Sequence, residues 1–473
     1  MTKKNSAMRA GLGYTVGNIL IKGINFLTIP FFSRLLTTEE FGICNVFLSY
    51  DAILSLFISL AIHTSIKSAH YEFKQTDEYI SSVSLIFILN ALICTSIIAI
   101  TGSWLVGITR FKQSALFLLI PYSFGCAVVQ LYNQQISLNY EYKKYLTISL
   151  LNSVGNILFS FILILTVFRT KRDIGRIIGM VASIFTIAIV LLQKMYTKTI
   201  PKYNKKFWKF ALRYSLPIVP HGISQVLLGQ CDRIMISNMV GNSETGIYSL
   251  AANLKLVLMV ISTSISISWS TWFFAKLENH ESDDIKKNAN LLVGVFLIFT
   301  VTLMTFTPEI IYVLGGKEYN LAKFIAIPMI IDAYILFLYN IIVPSEYYTK
   351  KTKYIMLGTL IAATINLITN YIFIKAFGFI AAAYTTLFSY VCYLVLHIVI
   401  SKKLIHFDVI EKKWITTSAA VVGLTGAIDL IFVDDMWTRY GAYVTIVGIL
   451  FPTLIKYFRN TLYKKRTIKN GQD

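Results

Sequence analysis

The chain has 473 residues, of which 55% are hydrophobic and only 14% charged, with a formal net charge of +20. A water-soluble domain carries about 25% charged residues, so this composition excludes an ordinary soluble protein. The basic surplus does not point to nucleic acid, because lysine and arginine collect in short connections between apolar runs, where membrane proteins use them to fix orientation.

Apolar runs near or above about 18 residues recur along the whole chain, the length a helix needs to cross a bilayer. The expected spans of the first half are Tyr14–Phe32, Ile43–Ile62, Val83–Leu105, Ala115–Ile136, Leu146–Val167 and Ile174–Gln193. The second half gives Phe210–Ser237, Ile247–Phe274, Leu291–Val313, Phe324–Ser345, Tyr354–Ile374 and Phe379–Ile400, followed by Trp414–Val433 and Tyr440–Tyr457. All connections are short. The basic stretch before the first span is followed by a run too long for a cleaved leader, so it reads as the start of a spanning helix. The five cysteines, Cys44, Cys94, Cys126, Cys231 and Cys392, form no close pair and have no histidine cluster nearby, which argues against disulfides and metal sites.

Counting Lys and Arg in alternate connections gives 29 on the side of the N-terminus and 11 on the other. The positive-inside rule then places both termini of this multi-pass protein in the cytoplasm. One cluster, Arg169, Lys171, Arg172 and Arg176, falls on the outer side against this trend. Apart from Arg176 and Lys456, which lie at the edges of their spans and are counted with the adjoining connections, four basic residues remain inside expected spans: Lys22, Arg213, Arg233 and Lys255.

The chain also repeats itself. "SRLLTTEEFGICNVF" at Ser33–Phe47 aligns with "SNMVGNSETGIYSLA" at Ser237–Ala251, an offset of 204 residues. Six spans separate the two copies, so the repeat would be parallel, about an axis along the membrane normal. The expected architecture is all-α: about 14 transmembrane helices in two pseudo-symmetric six-helix lobes plus a C-terminal helix pair. The lobes would be 1–193 and 210–400, joined by a basic cytoplasmic linker at 194–209, with 401–473 holding the last two helices and a basic tail.

Ionisable groups within a bilayer are costly and normally face a cavity or a partner. They fall on helical stripes here: Asn18, Lys22 and Asn25 in the first span; Asp51, Ser55, Ser59 and His63 in the second; His221, Gln225, Gly229 and Asp232, with Arg233 adjacent, in the seventh. The eighth span adds Asn253 and Lys255, and the tenth adds Asp332 and Tyr339. The plain alternative is that these groups satisfy one another between packed helices. Asp51 aligns with Lys255 in the repeat, so those two are a candidate ion pair. "LPIVPHG", with Pro217 and Pro220, predicts a kinked or broken seventh span. No Gly-rich phosphate loop, zinc-ligand spacing or Ser/His/Asp pattern is present, so no enzyme activity or bound cofactor is expected, and ATP hydrolysis through a P-loop is excluded.

Two segments carry a family resemblance: "NILIKGINFLTIPFFSRLLTTEEFGICNVFLSY" near the first connection, and "LPIVPHGISQVLLGQCDRIMISNMVGNSETGIYSLAANLK" with its prolines, Asp-Arg pair and "GIY". They resemble the polysaccharide repeat-unit (O-antigen and capsule) flippases of the multidrug, oligosaccharidyl-lipid and polysaccharide exporter superfamily. The resemblance implies two bundles around a cavity of alternating access, which holds a polyprenyl-pyrophosphate-linked oligosaccharide while its tail stays in lipid. On that reading Lys22, Arg233 and Lys255 would offset the pyrophosphate, and Asn18, Asn25 and Gln225 would bind sugar hydroxyls. Asp51, Asp232 and Asp332 would be candidates for coupling to H+ or Na+. The partners implied are the lipid-linked saccharide, membrane lipid and polysaccharide polymerase or assembly proteins. A multidrug exporter or a lipid II flippase of the same superfamily, or a membrane polysaccharide polymerase, are the alternatives.

Overall fold

The computed structural model describes residues 3–109 and 111–469. The described chain is helical almost throughout: α1 (Lys3–Leu35), α2 (Thr38–Ser59), α3 (Ile66–Glu72), α4 (Thr76–Thr109), α5 (Gln113–Leu138), α6 (Tyr142–Thr166), α7 (Arg172–Lys198), α8 (Lys205–Ser215) and α9 (Val219–Met239). There follow α10 (Asn242–Glu278), α11 (Ser282–Thr305), α12 (Thr307–Gly315), α13 (Ala322–Ile342), α14 (Pro344–Tyr348), α15 (Thr352–Phe377), α16 (Ala381–Ile405), α17 (Lys412–Ile431) and α18 (Met436–Lys469). Among the described residues, eleven helical spans are long and apolar enough to cross a membrane. The other three expected spans correspond to α1, to α8 with α9, and to α18. Helices suit this setting because hydrocarbon offers no partner for a free backbone N–H or C=O.

Large apolar side chains stand exposed on these helices, among them Leu27, Ile100, Trp104 and Phe377. A soluble monomer rarely exposes so much, whereas lipid solvates them. By contact the chain divides into Met1–Gly246 and Ile247–Asp473, so that α8 and α9 count with the first unit and α10 begins at its end.

In the first unit α2, α4, α5 and α7 share one apolar core with α8, built on residues such as Ile58, Phe87, Leu131 and Phe207. Trp208 fixes α8 by donating its indole N–H to Ser82 O at 3.0 Å. A capping box opens α2: Thr37 Oγ1 accepts from Glu40 N at 3.2 Å, and Glu40 Oε2 accepts from Thr37 N at 2.9 Å. The other end of α2 breaks at Leu60 (φ 45°) and Ala61 (φ 54°). His63 therefore leaves the stripe expected to run from Asp51, and sits in a 3-10 turn beyond Ser59. Asn90 Nδ2 donates to the freed carbonyls of Phe57 and Ile58, at 3.3 and 3.0 Å. The seventh expected span is interrupted as its prolines predict, with a 3-10 turn at Leu216–Ile218 between α8 and α9.

The repeated segments meet. Gly42 lies against the carbonyl of Asn242, and Gly246 against the carbonyl of Thr38, so closely that a Cβ would stand 1.8 and 2.0 Å from those oxygens. Thr38 aligns with Asn242 and Gly42 with Gly246 at the 204-residue offset, so the contact is reciprocal. Thr38 Oγ1 and Ser243 Oγ share a hydrogen bond of 2.7 Å beside it.

In the second unit α13 is buried along nearly its whole length and packs on α11, α16 and α17. Phe296 and Phe337 stack at 3.8 Å, and Trp269 Nε1 donates to Ile341 O at 2.8 Å. Arg439, at the start of α18, is 2% exposed; it donates to Thr305 O at the end of α11 and to both oxygens of Glu309 on α12.

Candidate functional site

The second unit brings two of the expected site residues together. Lys255 Nζ on α10 lies 2.5 Å from Asp332 Oδ1 on α13, and 4.9 Å over the ring of Tyr390 on α16. Asp332 is fully buried, whereas the Lys255 side chain is 19% exposed. Lys255 thus has Asp332 as its partner and not the Asp51 suggested by the repeat. The reason is helical geometry: α10 and α13 belong to one packed unit, and a buried carboxylate there needs a cation at contact distance. Lys255 and Asp332 cannot serve independently, since freeing one leaves the other uncompensated.

In the first unit Asp51 accepts from Ser123 Oγ at 2.6 Å, with Cys126 Sγ at 3.9 Å, both on α5. Arg233 donates to Gln230 Oε1, which also accepts from Ser49 Oγ of α2 at 3.3 Å, so α9 is tied to α2 through this glutamine. Asp232 is buried on α9, whereas Gln225 is exposed. On α1, Lys22 and Asn25 are exposed, and the side chain of Asn18 lies outside the described residues.

The basic cluster that opposed the positive-inside trend has a structural use. Arg169 Nε donates to Leu165 O in the last turn of α6 at 2.8 Å, and Arg172 Nη1 to Leu35 O, the last residue of α1, at 2.8 Å. Cations at helix C-termini offset the negative end of the helix dipole. Arg176 differs. Its Nη1 donates to Asn156 Oδ1 at 2.5 Å and Ser160 Oγ at 2.6 Å, and its guanidinium lies 3.7 Å over the Phe32 ring. Among the described residues no carboxylate lies within ion-pair distance of it. Position alone marked Arg176 as one of a surface cluster; the packing of α1 and α6 on α7 makes it a held, uncompensated cation. The sequence reading also passed over Glu346 and His397, a buried pair 51 residues apart in sequence, because no spacing rule connects them.

The sequence matches the family described as polysaccharide biosynthesis protein over residues 8–274. It is 21% identical to a probable low-salt glycan biosynthesis flippase of Haloferax volcanii, across 96% of both chains. A capsular polysaccharide biosynthesis protein of Staphylococcus aureus is 27% identical over 64% of this chain and 76% of its own. Among solved structures, the fold matches a lipid II flippase in an inward closed conformation with a TM-score of 0.72 at 16% identity, covering 93% of this chain and 99% of that one. An inward-facing multidrug exporter matches with a TM-score of 0.57 at 13% identity, over 86% and 95%. With more than half of the chain inside the matched region, the protein belongs to the polysaccharide biosynthesis protein family.

Proposed function

We propose that the protein translocates polyprenyl-pyrophosphate-linked oligosaccharide repeat units, of O-antigen or capsule type, from the cytoplasmic to the outer leaflet of a bacterial inner membrane by alternating access. The observation that carries this reading is Arg176, a guanidinium oriented by Asn156, Ser160 and the Phe32 ring without a carboxylate partner among the described residues. A fixed cation of this kind attracts a diphosphate, and its planar fork suits phosphate oxygens. Lys22 and Arg233 would add charge, and Lys255 would join them once Asp332 releases it. Asn18, Asn25 and Gln225 would take sugar hydroxyls, and Asp51, Asp232 and Asp332 remain the candidates from the sequence for H+ or Na+ coupling. Both termini would be cytoplasmic.

The relatives named for glycan and capsule synthesis support the saccharide class. The fold match to a lipid II flippase favours a second reading, since lipid II presents the same diphosphate chemistry. Gene deletion with mass spectrometry of lipid-linked saccharide from each leaflet separates them. A complete repeat unit trapped on the cytoplasmic side, with polymer lost, supports the proposal; trapped lipid II selects the second reading. Normal translocation of both overturns the flippase assignment.

A further inference from the structure

Glu346 on α14 and His397 on α16 are both fully buried, with Oε1 and Nδ1 2.5 Å apart. The two outer atoms, Glu346 Oε2 and His397 Nε2, have no hydrogen-bond partner among the described residues. His397 Nε2 rests directly on the backbone of α15, where a Cβ at Gly358 would stand only 2.4 Å away. The rings of Tyr339 and Tyr393 close over the imidazole at 4.9 and 4.5 Å. The ionisable groups facing the pair are therefore Tyr339 of α13, Tyr347 of α14 and Tyr393 of α16. Lys353 and Tyr354 of α15 are exposed, and Lys402 of α16 pairs with Asp408 at 3.3 Å. No lysine or arginine shares the site among the described residues.

Charge counting follows. With one proton between them, the pair is neutral, whether as carboxylic acid with imidazole or as carboxylate with imidazolium. Losing that proton leaves a bare carboxylate, and gaining another leaves a bare imidazolium. Either would bury a net charge with no counter-ion, which a fully enclosed site disfavours. The helix carrying Glu346 is only five residues long. It starts at Pro344, which cannot donate a backbone hydrogen bond to the preceding turn, and is followed by Lys350 in the left-handed region (φ 59°). Parting this segment from α16 breaks only the pair itself and the Ser345–Ser401 hydrogen bond of 2.8 Å among the side-chain hydrogen bonds between the two helices in the described residues.

We propose that Glu346 and His397 form a proton-binding site that holds one proton while α14 is packed on α16 and exchanges it with water when the two separate. On separation in the state open to one side the shared proton passes to water there, leaving carboxylate and neutral imidazole; a proton taken up from water in the state open to the opposite side restores the neutral pair. Linked to alternating access, this couples one proton to each cycle, a role that rests on the flippase reading, whereas the proton site itself does not.

The test uses the full chain in liposomes, with a synthetic polyprenyl diphosphate carrying a fluorescent oligosaccharide as probe and an imposed pH gradient. Wild-type flipping should change with the gradient, by at most about tenfold per pH unit for a one-proton step. The double variant Glu346→Met/His397→Leu replaces the pair by apolar side chains of similar size, a change that buried ion pairs tolerate. It should keep the wild-type melting temperature and flip the probe at a rate independent of the gradient. A gradient dependence retained by the double variant would overturn the proposal. A second arm needs no transport: 15N-histidine NMR of the protein in nanodiscs, with the His397 signal identified by its absence in the double variant. That signal should shift on Glu346→Gln; an unchanged signal overturns the proton site. A shift without any probe flipping keeps the site and removes only the flippase reading.

Discussion

Replacing either glycine of the reciprocal contact, Gly42→Ala or Gly246→Ala, tests whether the two copies of the repeat meet as described. Ordinary van der Waals contact for a Cβ begins near 3.4 Å, against 1.8 Å to Asn242 O from Gly42 and 2.0 Å to Thr38 O from Gly246. Each added methyl must therefore push α2 and α10 apart by about 1.5 Å. The opposing atoms are backbone carbonyls, so no rotamer change relieves the clash, and the cost lies at the upper end of the overpacking range, about 3 kcal/mol. The same displacement stretches the 2.7 Å Thr38–Ser243 hydrogen bond past its useful length, adding about 1 kcal/mol. Intrinsic-fluorescence melting in detergent should show each single variant falling by roughly 5–10 °C. The double variant should fall by less than the sum, because the first methyl already opens the gap the second requires. A single variant that melts like wild type, or strictly additive losses, would refute the reciprocal contact.

The remaining predictions concern charges. Lys255→Met should destabilise by about 3–5 kcal/mol by stranding buried Asp332, while Lys255→Met/Asp332→Leu should regain most of that stability; equal melting of single and double variants would reject the pairing argument. If the double variant also exports saccharide normally in cells, Lys255 has no part in anion binding. Arg439→Met should cost about 1–2 kcal/mol, less than a fully buried pair, because Glu309 is 37% exposed and reaches water when the guanidinium is removed; melting of the variant in detergent measures it. Asp435 accepts from the Thr438 hydroxyl at 2.5 Å and from the backbone N–H groups of Trp437 and Thr438, which holds its carboxyl below the ordinary 3.8. A depressed folded value means stability that is present above the unfolded value and lost as pH falls through the folded one. The melting difference between wild type and Asp435→Ala should therefore be full at neutral pH and shrink below about pH 4; a gap that is constant or widens with acid contradicts the cap.

What the sequence determined by itself is what depends on local composition and period. Apolar runs named every helix that could span a bilayer, because a chain in hydrocarbon has no alternative to satisfying its own backbone. The prolines of "LPIVPHG" announced the break between α8 and α9, since a missing N–H acts within one turn. The repeat was legible in Ser33–Phe47 and Ser237–Ala251, although only the packing gave Gly42 and Gly246 a reason to be glycine. Tertiary structure decided everything that depends on which faces meet. Lys255 and Asp332 stand 77 residues apart and share no stripe, and their pairing follows from the approach of α10 to α13. Arg176 looked like one more surface charge until α1 and α6 closed on it, and Glu346 with His397 carried no motif at all. Charges and hydrogen bonds act over a few ångströms of space, and sequence separation does not measure that distance.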